Sequence, residues 1–226
     1  MVKAVIFDFD GVIANSEPLH FRAFRDVLLE EGVQLTEPDY YERHLGYDDV
    51  GVFRAVGREH GLDWNVNRVN DLVNRKALHL ERLERDGSIL FPGAEDAIRR
   101  LAATLPLAIA SGALRAEILR VLDRAQLTRH FGAVVAAEDS PASKPAPDPY
   151  LRAVSALAAA VNQAISPAEC VAVEDSHWGL ESARTAGLRT IGVTHTYPAA
   201  SLGAAELIIE TLDALTPAIL RKFDHL

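Results

Sequence analysis

The sequence predicts an α/β protein: a doubly wound parallel sheet with a block of helices inserted after its first strand. Three observations predict it. An apolar run, Ala4–Phe7 with Phe9 beyond it, opens the chain and runs directly into Asp8 and Asp10. From there to about Gly87 the periodicity is helical throughout, with no strand-like alternation. From Ile89 onward short apolar runs alternate with amphipathic helices, the pattern of strand–helix–strand units that build parallel sheets.

Taken in order, Ala4–Phe7 reads as a buried strand that stops at a polar rim. If the strand stayed regular, Asp8 and Asp10 would point the same way, because side chains alternate. Pro18 suits a first helical turn, with Ser16 before it as a cap. Phe21, Phe24, Val27 and Leu28 share one face of that helix, and Gly32 ends it. Helical segments follow over Asp39 to Leu45, Val50 to His60 and Val66 to Arg85.

The sheet resumes after Ile89. Ala97, Ile98, Leu101 and Ala102 line one helical face. Leu107 to Ala110 reads as a strand, and Leu114, Ile118, Val121, Leu122 and Ala125 line the next helix. Strands are expected over Ala133 to Ala137, Cys170 to Val173, Thr190 to Val193 and Leu207 to Ile209. Helices are expected over Pro149 to Val161, with Leu151, Val154, Leu157 and Ala158 on its buried face, and over Gly179 to Ala186, ended by Gly187. The core is therefore residues 1–14 and 89–226, and the inserted helical domain is residues 15–88. Linkers are expected near Ala14 to Glu17 and Ser88 to Phe91.

Composition narrows the function. The 226 residues are 49% apolar and 24% charged, ordinary for a globular chain. A net charge of −9 gives nucleic acid no electrostatic support. No run reaches membrane-spanning length and no basic-then-apolar signal opens the chain, so no membrane partner is expected and a cytoplasmic enzyme is. The lone Cys170 sits in an apolar run and reads as a core residue.

The chemistry gathers at strand ends. Ligands of such sheets bind beyond the carboxyl ends of the strands. Asp8 and Asp10 end the first strand, Ser111 the second, and Glu174 and Asp175 a later one, with Lys144 following another. Carboxylates there are costly to bury without cations, and Mg²⁺ takes one or two carboxylates plus phosphate oxygens. Ser111 and Gly112 precede a helix, where a hydroxyl and free backbone N–H groups form an anion site; a plain helix cap is the alternative. Pro145, Pro147 and Pro149 stiffen the loop carrying Lys144, so its ammonium is held rather than free. For Glu174 and Asp175 the alternative is an acidic helix start.

Four segments in order carry a family resemblance: Asp8-Phe9-Asp10-Gly11, Ile109-Ala110-Ser111-Gly112, Ser143-Lys144-Pro145 and Val173-Glu174-Asp175-Ser176 with Gly179. Together they resemble the four motifs of the haloacid dehalogenase superfamily, in its phosphatase and β-phosphoglucomutase-like branch, whose helical cap follows the first motif. The resemblance implies a Rossmann-like core, a small helical cap and a Mg²⁺-dependent phosphatase acting on a small phosphorylated metabolite such as a sugar phosphate. It implies Asp8 as the nucleophile that becomes an aspartyl phosphate, and Asp10 as general acid and then base. Asp8, Asp10, Glu174 and Asp175 would serve the metal, with Asp175 preferred over Glu174 for direct ligation. Ser111, Gly112 and Lys144 would bind the phosphate. His20, at the start of the first cap helix, matches a histidine that couples substrate to Asp10; an ordinary helix histidine is the alternative.

Dehalogenases of the family lack the acid at the place of Asp10, which argues against that activity. The rival is a phosphosugar mutase. β-Phosphoglucomutases carry an arginine shortly after a cap glycine, where this chain reads Gly46-Tyr47-Asp48-Asp49, although Arg54 lies a turn further on. A non-catalytic binding protein is the reading from another class; intact Asp8, Asp10, Lys144 and Asp175 argue against it. Substrate choice would rest on the segment around Leu45 to Phe53. Neither the substrate nor the oligomeric state is legible, and a monomer is compatible.

Overall fold

A computed structural model describes residues 1–45, 47–85 and 89–225. The chain divides into two compact units, residues 1–15 with 90–226, and residues 16–89.

The first unit is built on a six-stranded sheet. Its strands are β1 (Ala4–Phe7), β2 (Leu107–Ala110), β3 (Phe131–Val135), β4 (Cys170–Glu174), β5 (Arg189–Val193) and β6 (Leu207–Ile209). Their spatial order is β3-β2-β1-β4-β5-β6, and every pairing is parallel. β1 is central because all its residues are apolar and fully buried, which only an interior parallel strand permits. Alternation sends Ala4, Ile6, Ala108, Ala110, Cys170 and Ala172 to one face. Four of these are alanines, and the small side chains give room for Tyr150, Ala153, Val154 and Leu157 of an overlying helix. Val5, Phe7, Ile109, Val171 and Val173 turn to the other face and are equally buried.

Four longer helices and one short one are described in this core: α5 (Ala94–Ala102), α6 (Arg115–Arg124), α7 (Asp148–Val161), α8 (His177–Thr185) and the short α9 (Pro217–Leu220), numbered after the four helices of the second unit given below. α7 lies against β1, β2 and β3, and α8 against β4 and β5. One expectation for α7 fails by a residue. Leu151 is exposed at 43%, while Tyr150 and Ala153 are buried with Val154 and Leu157. Spacing of apolar residues sets which positions share a face, but Leu151 falls at its margin and the phenol of Tyr150 takes the inward position. The β1 strand also ends sooner than a regular reading to Asp10 requires. Its ladder closes with the Asp8 amide on Val173 O at 3.0 Å, and the chain then folds into a tight turn.

The second unit is helical. It comprises α1 (Glu17–Glu30), a single turn α2 (Glu37–Asp39) that leads into a π-helical turn at Tyr40–His44, α3 (Asp49–Glu59) and α4 (Val66–Glu84). Phe21, Phe24, Val27 and Leu28 of α1 meet Tyr40, Val52, Phe53, Val56, Val69 and Leu72 in one apolar core. Gly32 ends α1 at φ +75°, a conformation that costs glycine nothing. Ser16 stands at the N-cap of α1 without a side-chain cap bond. Ser88, where the second linker is expected to begin, lies outside the described residues. Among the described residues no helix is long and apolar enough to cross a membrane.

Leu157 tests the core packing. It is fully buried against the alanine face of the sheet. Leu157→Ala should lower unfolding free energy by about 2–5 kcal/mol in urea denaturation, the range for a buried leucine that leaves a cavity.

Candidate active site

The strand order dictates where the site forms. β1 lies between β2 and β4, at the place where the order reverses, and a parallel sheet opens a crevice beyond the strand ends there. Phe7 is level with Ile109 and Val173, so Asp8, Ala110 and Glu174 come next on three adjacent strands. Sequence positions more than a hundred residues apart are thereby neighbours.

Lys144 is the centre of the cluster. Its Nζ lies 2.8 Å from Asp8 Oδ1 and 2.6 Å from Glu174 Oε1. The same Glu174 oxygen accepts from Tyr150 Oη at 2.7 Å, and Ser176 Oγ donates to Oε2 at 3.3 Å. Glu174 is fully buried and both its oxygens are engaged. Asp8 Oδ1 also accepts the Phe9 amide at 2.7 Å. Asp175 is buried beside them and hydrogen-bonded to the Thr196 hydroxyl. Asp8, Glu174 and Asp175 each offer an oxygen, and these lie within 4.8 Å of one another.

Three carboxylates against one ammonium leave the cluster short of positive charge. Burial pushes the Asp8 carboxyl up to about 7, with the Glu174 charge adding to the rise and Lys144 opposing it. Burial also raises Asp175 well above the carboxylate range, helped by Glu174 and Asp8. Burial works against the Lys144 ammonium, but Asp8 and Glu174 outweigh it and hold the proton more firmly than in water. A hard divalent cation suits this donor set, since it would supply the missing charge to an all-oxygen site. The room is built in: a Cβ at Gly11, which stands at φ +75°, would lie 1.9 Å from Asp175 Oδ2.

The acidic pair is not a helix start. α8 begins at His177 with Ser176 as its cap, whose Oγ accepts the Gly179 amide at 3.1 Å, and its first turn carries no acid. Gly179 has a specific reason to be glycine. A Cβ there would sit 2.0 Å from the Glu174 carboxylate. The proline-rich loop is tied down as well, by Ser182 Oγ donating to Ala146 O at 2.5 Å.

Ser111 lies at the end of β2, buried, with its amide on Val135 O at 2.9 Å and its Oγ accepting the Ala113 amide at 3.0 Å. Ser111 and Gly112 precede α6 by a short stretch of chain. α6 begins at Arg115, four residues after Ser111, with Leu114 at its N-cap, and the amides of these two residues already have side-chain partners. The Leu114 N–H donates to Glu117 and the Arg115 N–H to Glu138. Gly112 is exposed, and nothing lies within 4 Å of where a Cβ would be. Asp10 is half-buried in the turn after β1, where it bridges to Ala14.

His20 belongs to the helical unit. Its Nδ1 lies 2.8 Å from Lys76 Nζ, and that fully buried lysine also meets Asp49 Oδ1 at 2.9 Å and stands 5.0 Å from the Phe24 ring centroid. Burial, then the Lys76 charge, depresses the His20 imidazole well below its usual range. His20 is therefore neutral and accepts from Lys76 through Nδ1. Asp48 caps α3, with Oδ1 accepting the Gly51 amide at 2.7 Å; Gly46, before it, lies outside the described residues. Lys76, Tyr150, Ser182 and Thr196 were not singled out in sequence. Only Tyr150 had a local signal, following the proline loop directly.

The haloacid dehalogenase-like hydrolase family model matches residues 5–193, from β1 through the insertion to the end of β5. The chain belongs to that family. It is an enzyme of the hydrolase kind, and named phosphatases are among its relatives. It is 36% identical over 200 residues to Protein CbbY of Rhodobacter capsulatus, spanning 84% of each chain. It is 30% identical over 201 residues to a phosphorylated carbohydrates phosphatase of Thermotoga maritima, spanning 86% of this chain and 87% of that one. A crystal structure of β-phosphoglucomutase from Clostridium difficile superposes with a TM-score of 0.85 at 18% identity, covering 100% of this chain and 98% of the other, and shares the fold.

The Gly179 contact makes a direct prediction. Gly179→Ala should displace the Glu174 carboxylate and release Lys144, lowering both thermal stability and turnover. Because a Cβ there meets a fully buried charge, the loss is expected to exceed about 1 kcal/mol, the ordinary cost of a destabilising point mutation. Calorimetric melting compared with Gly203→Ala, where the nearest atom lies 3.9 Å away, checks it.

Proposed function

We propose that this chain is a Mg²⁺-dependent phosphatase that hydrolyses a small phosphorylated metabolite, a sugar phosphate or similar, through an aspartyl phosphate on Asp8. The observation that carries the reading is the Lys144 ammonium held between Asp8 and Glu174, with Asp175 alongside. Family membership and the carbohydrate-phosphate phosphatase of Thermotoga maritima support the substrate class.

In this reading Asp8 attacks phosphorus. The bond from Asp8 to phosphorus forms as the ester P–O bond breaks, and Asp10 gives its proton to the departing oxygen. Asp10 then takes a proton from water, which attacks the acyl phosphate and restores Asp8. Lys144 meets the phosphoryl oxygens as a preorganised cation, and the Ser111–Gly112 turn offers its hydroxyl and amide. Asp8, Asp175 and the Asp10 backbone would hold Mg²⁺, with Glu174 anchoring Lys144 behind them. Bound there, the metal neutralises the acids and the developing phosphoryl charge. The helical unit, residues 16–89, serves as the family's specificity cap.

The mutase reading keeps one observation in view. Asp49, near the place of the mutase arginine, is matched by Lys76, so that segment is not a bare negative surface. A distal phosphate would have to compete with Asp49 for that lysine, which favours hydrolysis of monophosphates.

Wild-type chain assayed on a panel of sugar phosphates should release inorganic phosphate over many turnovers with Mg²⁺ and none in excess chelator. Asp8→Asn should abolish release. β-Glucose 1-phosphate with a bisphosphate primer should yield little glucose 6-phosphate; efficient isomerisation without phosphate release would replace the phosphatase with the mutase.

Asp10→Asn should separate the acid role from the rest. Turnover should fall by about 10²–10⁴-fold for alkyl phosphates, whose leaving oxygen needs the proton, and by less for aryl phosphates. Equal losses on both, in steady-state assays, would remove Asp10 from the acid role.

A further inference from the structure

The turn after β5 has no part in the chemistry just described, yet two of its consecutive side chains reach the walls of the acidic cluster. His195 Nδ1 lies 3.0 Å from Gly11 O. A carbonyl only accepts, so the proton is on Nδ1. The ring is fixed from the other side by Phe91, stacked at 3.9 Å between centroids and 18° between planes. Phe91 is itself tied to the same turn, its amide donating to Ile13 O at 2.9 Å. The turn closes on itself through Gly11 N to Ala14 O and Ile13 N to Phe9 O. Thr196 comes next, and its hydroxyl bonds the Asp175 carboxylate. Gly11 and Thr196 meet that carboxylate together: a Cβ on Gly11 would lie 1.9 Å from Asp175 Oδ2 and 2.9 Å from Thr196 Oγ1.

We propose that His195 and Thr196 are positioning residues for the divalent-cation site, one fixing the Asp8–Ala14 turn through the Gly11 carbonyl and the other fixing the Asp175 carboxylate. The proposal rests on the reading of Asp8 and Asp175 as metal ligands. Its physical basis is that a ligating carboxylate with one oxygen oriented by a hydroxyl loses less freedom on taking up a cation, and such outer partners govern affinity. The clamp also joins two ligands from different strands. Asp8 leads into the turn that His195 holds, and Asp175 follows directly on β4, so one dipeptide sets the separation between them. A threonine and a histidine are suited to this because each makes one short, directed bond from a turn that follows directly on β5, the strand paired beside β4.

The test reads metal binding without turnover. Mn²⁺ is titrated into the substrate-free chain and the free ion is counted by paramagnetic resonance. Thr196→Val, which keeps shape and removes the hydroxyl, should weaken Mn²⁺ binding by about 10–100-fold, the usual effect of losing an outer partner. Thr196→Ser should restore it. His195→Phe, which keeps the stack on Phe91 and removes the donor, should also weaken binding, and His195→Asn, with an amide N–H at a similar reach, should recover part of it. Thr196→Ala supplies a second hydroxyl-free variant should the valine not fold. Folded hydroxyl-free variants that bind Mn²⁺ as the wild type does would overturn the clamp alone. A wild-type chain that binds no Mn²⁺ would overturn the metal reading, and the clamp with it.

Discussion

The constraint on which the site depends is the charge of Lys144. Its ammonium is the cation that the structure places between Asp8 and Glu174, at 2.8 and 2.6 Å. A buried carboxylate such as Glu174 is tolerable only when paired and hydrogen-bonded. Lys144, Tyr150 and Ser176 together meet that requirement. Removing the lysine would leave a buried charge uncompensated, and the neighbouring acids would respond by taking protons.

Much of the surrounding structure can be understood as keeping that ammonium in place. Its loop is stiffened by prolines and pinned by Ser182 to α8. Gly179 lets α8 approach the Glu174 carboxylate closely enough for Ser176 to reach it. Tyr150 rises from the first turn of α7, inside the face that packs on the alanines of β1, β2 and β4. Packing and electrostatics are therefore coupled: the helix that fills the core also supplies a hydrogen bond to the buried acid.

The helical unit shows the same economy on a smaller scale. Lys76 is fully buried and meets His20 and Asp49, above the ring of Phe24. Glu17 and Tyr40 share a hydrogen bond at 2.5 Å in the same unit. A buried polar network of this kind holds α1, the π-helical turn, α3 and α4 in one arrangement, because each member would be costly to leave unpaired.

The sequence by itself determined the sheet and the list of acids. Apolar runs such as Ala4–Phe7 and Leu107–Ala110 are short, local and bounded by polar residues, so their limits follow from burial alone. Asp8, Glu174 and Asp175 stood out as acids following apolar runs and Lys144 as a lysine among prolines, and the order of the four motifs that carry them gave them weight. Tertiary structure decided what periodicity and local motifs leave open. The phase of α7 depended on which side chain, Tyr150 or Leu151, could reach Glu174 and the sheet. The start of α6 depended on Glu117 and Glu138, which take the amides that Ser111 and Gly112 were expected to front. The partners of His20, and the reach of His195 and Thr196 to Gly11 and Asp175, join residues far apart in the chain. Such pairings carry no spacing signal; they exist only once parallel strand order has brought the ends of β1, β4 and β5 side by side.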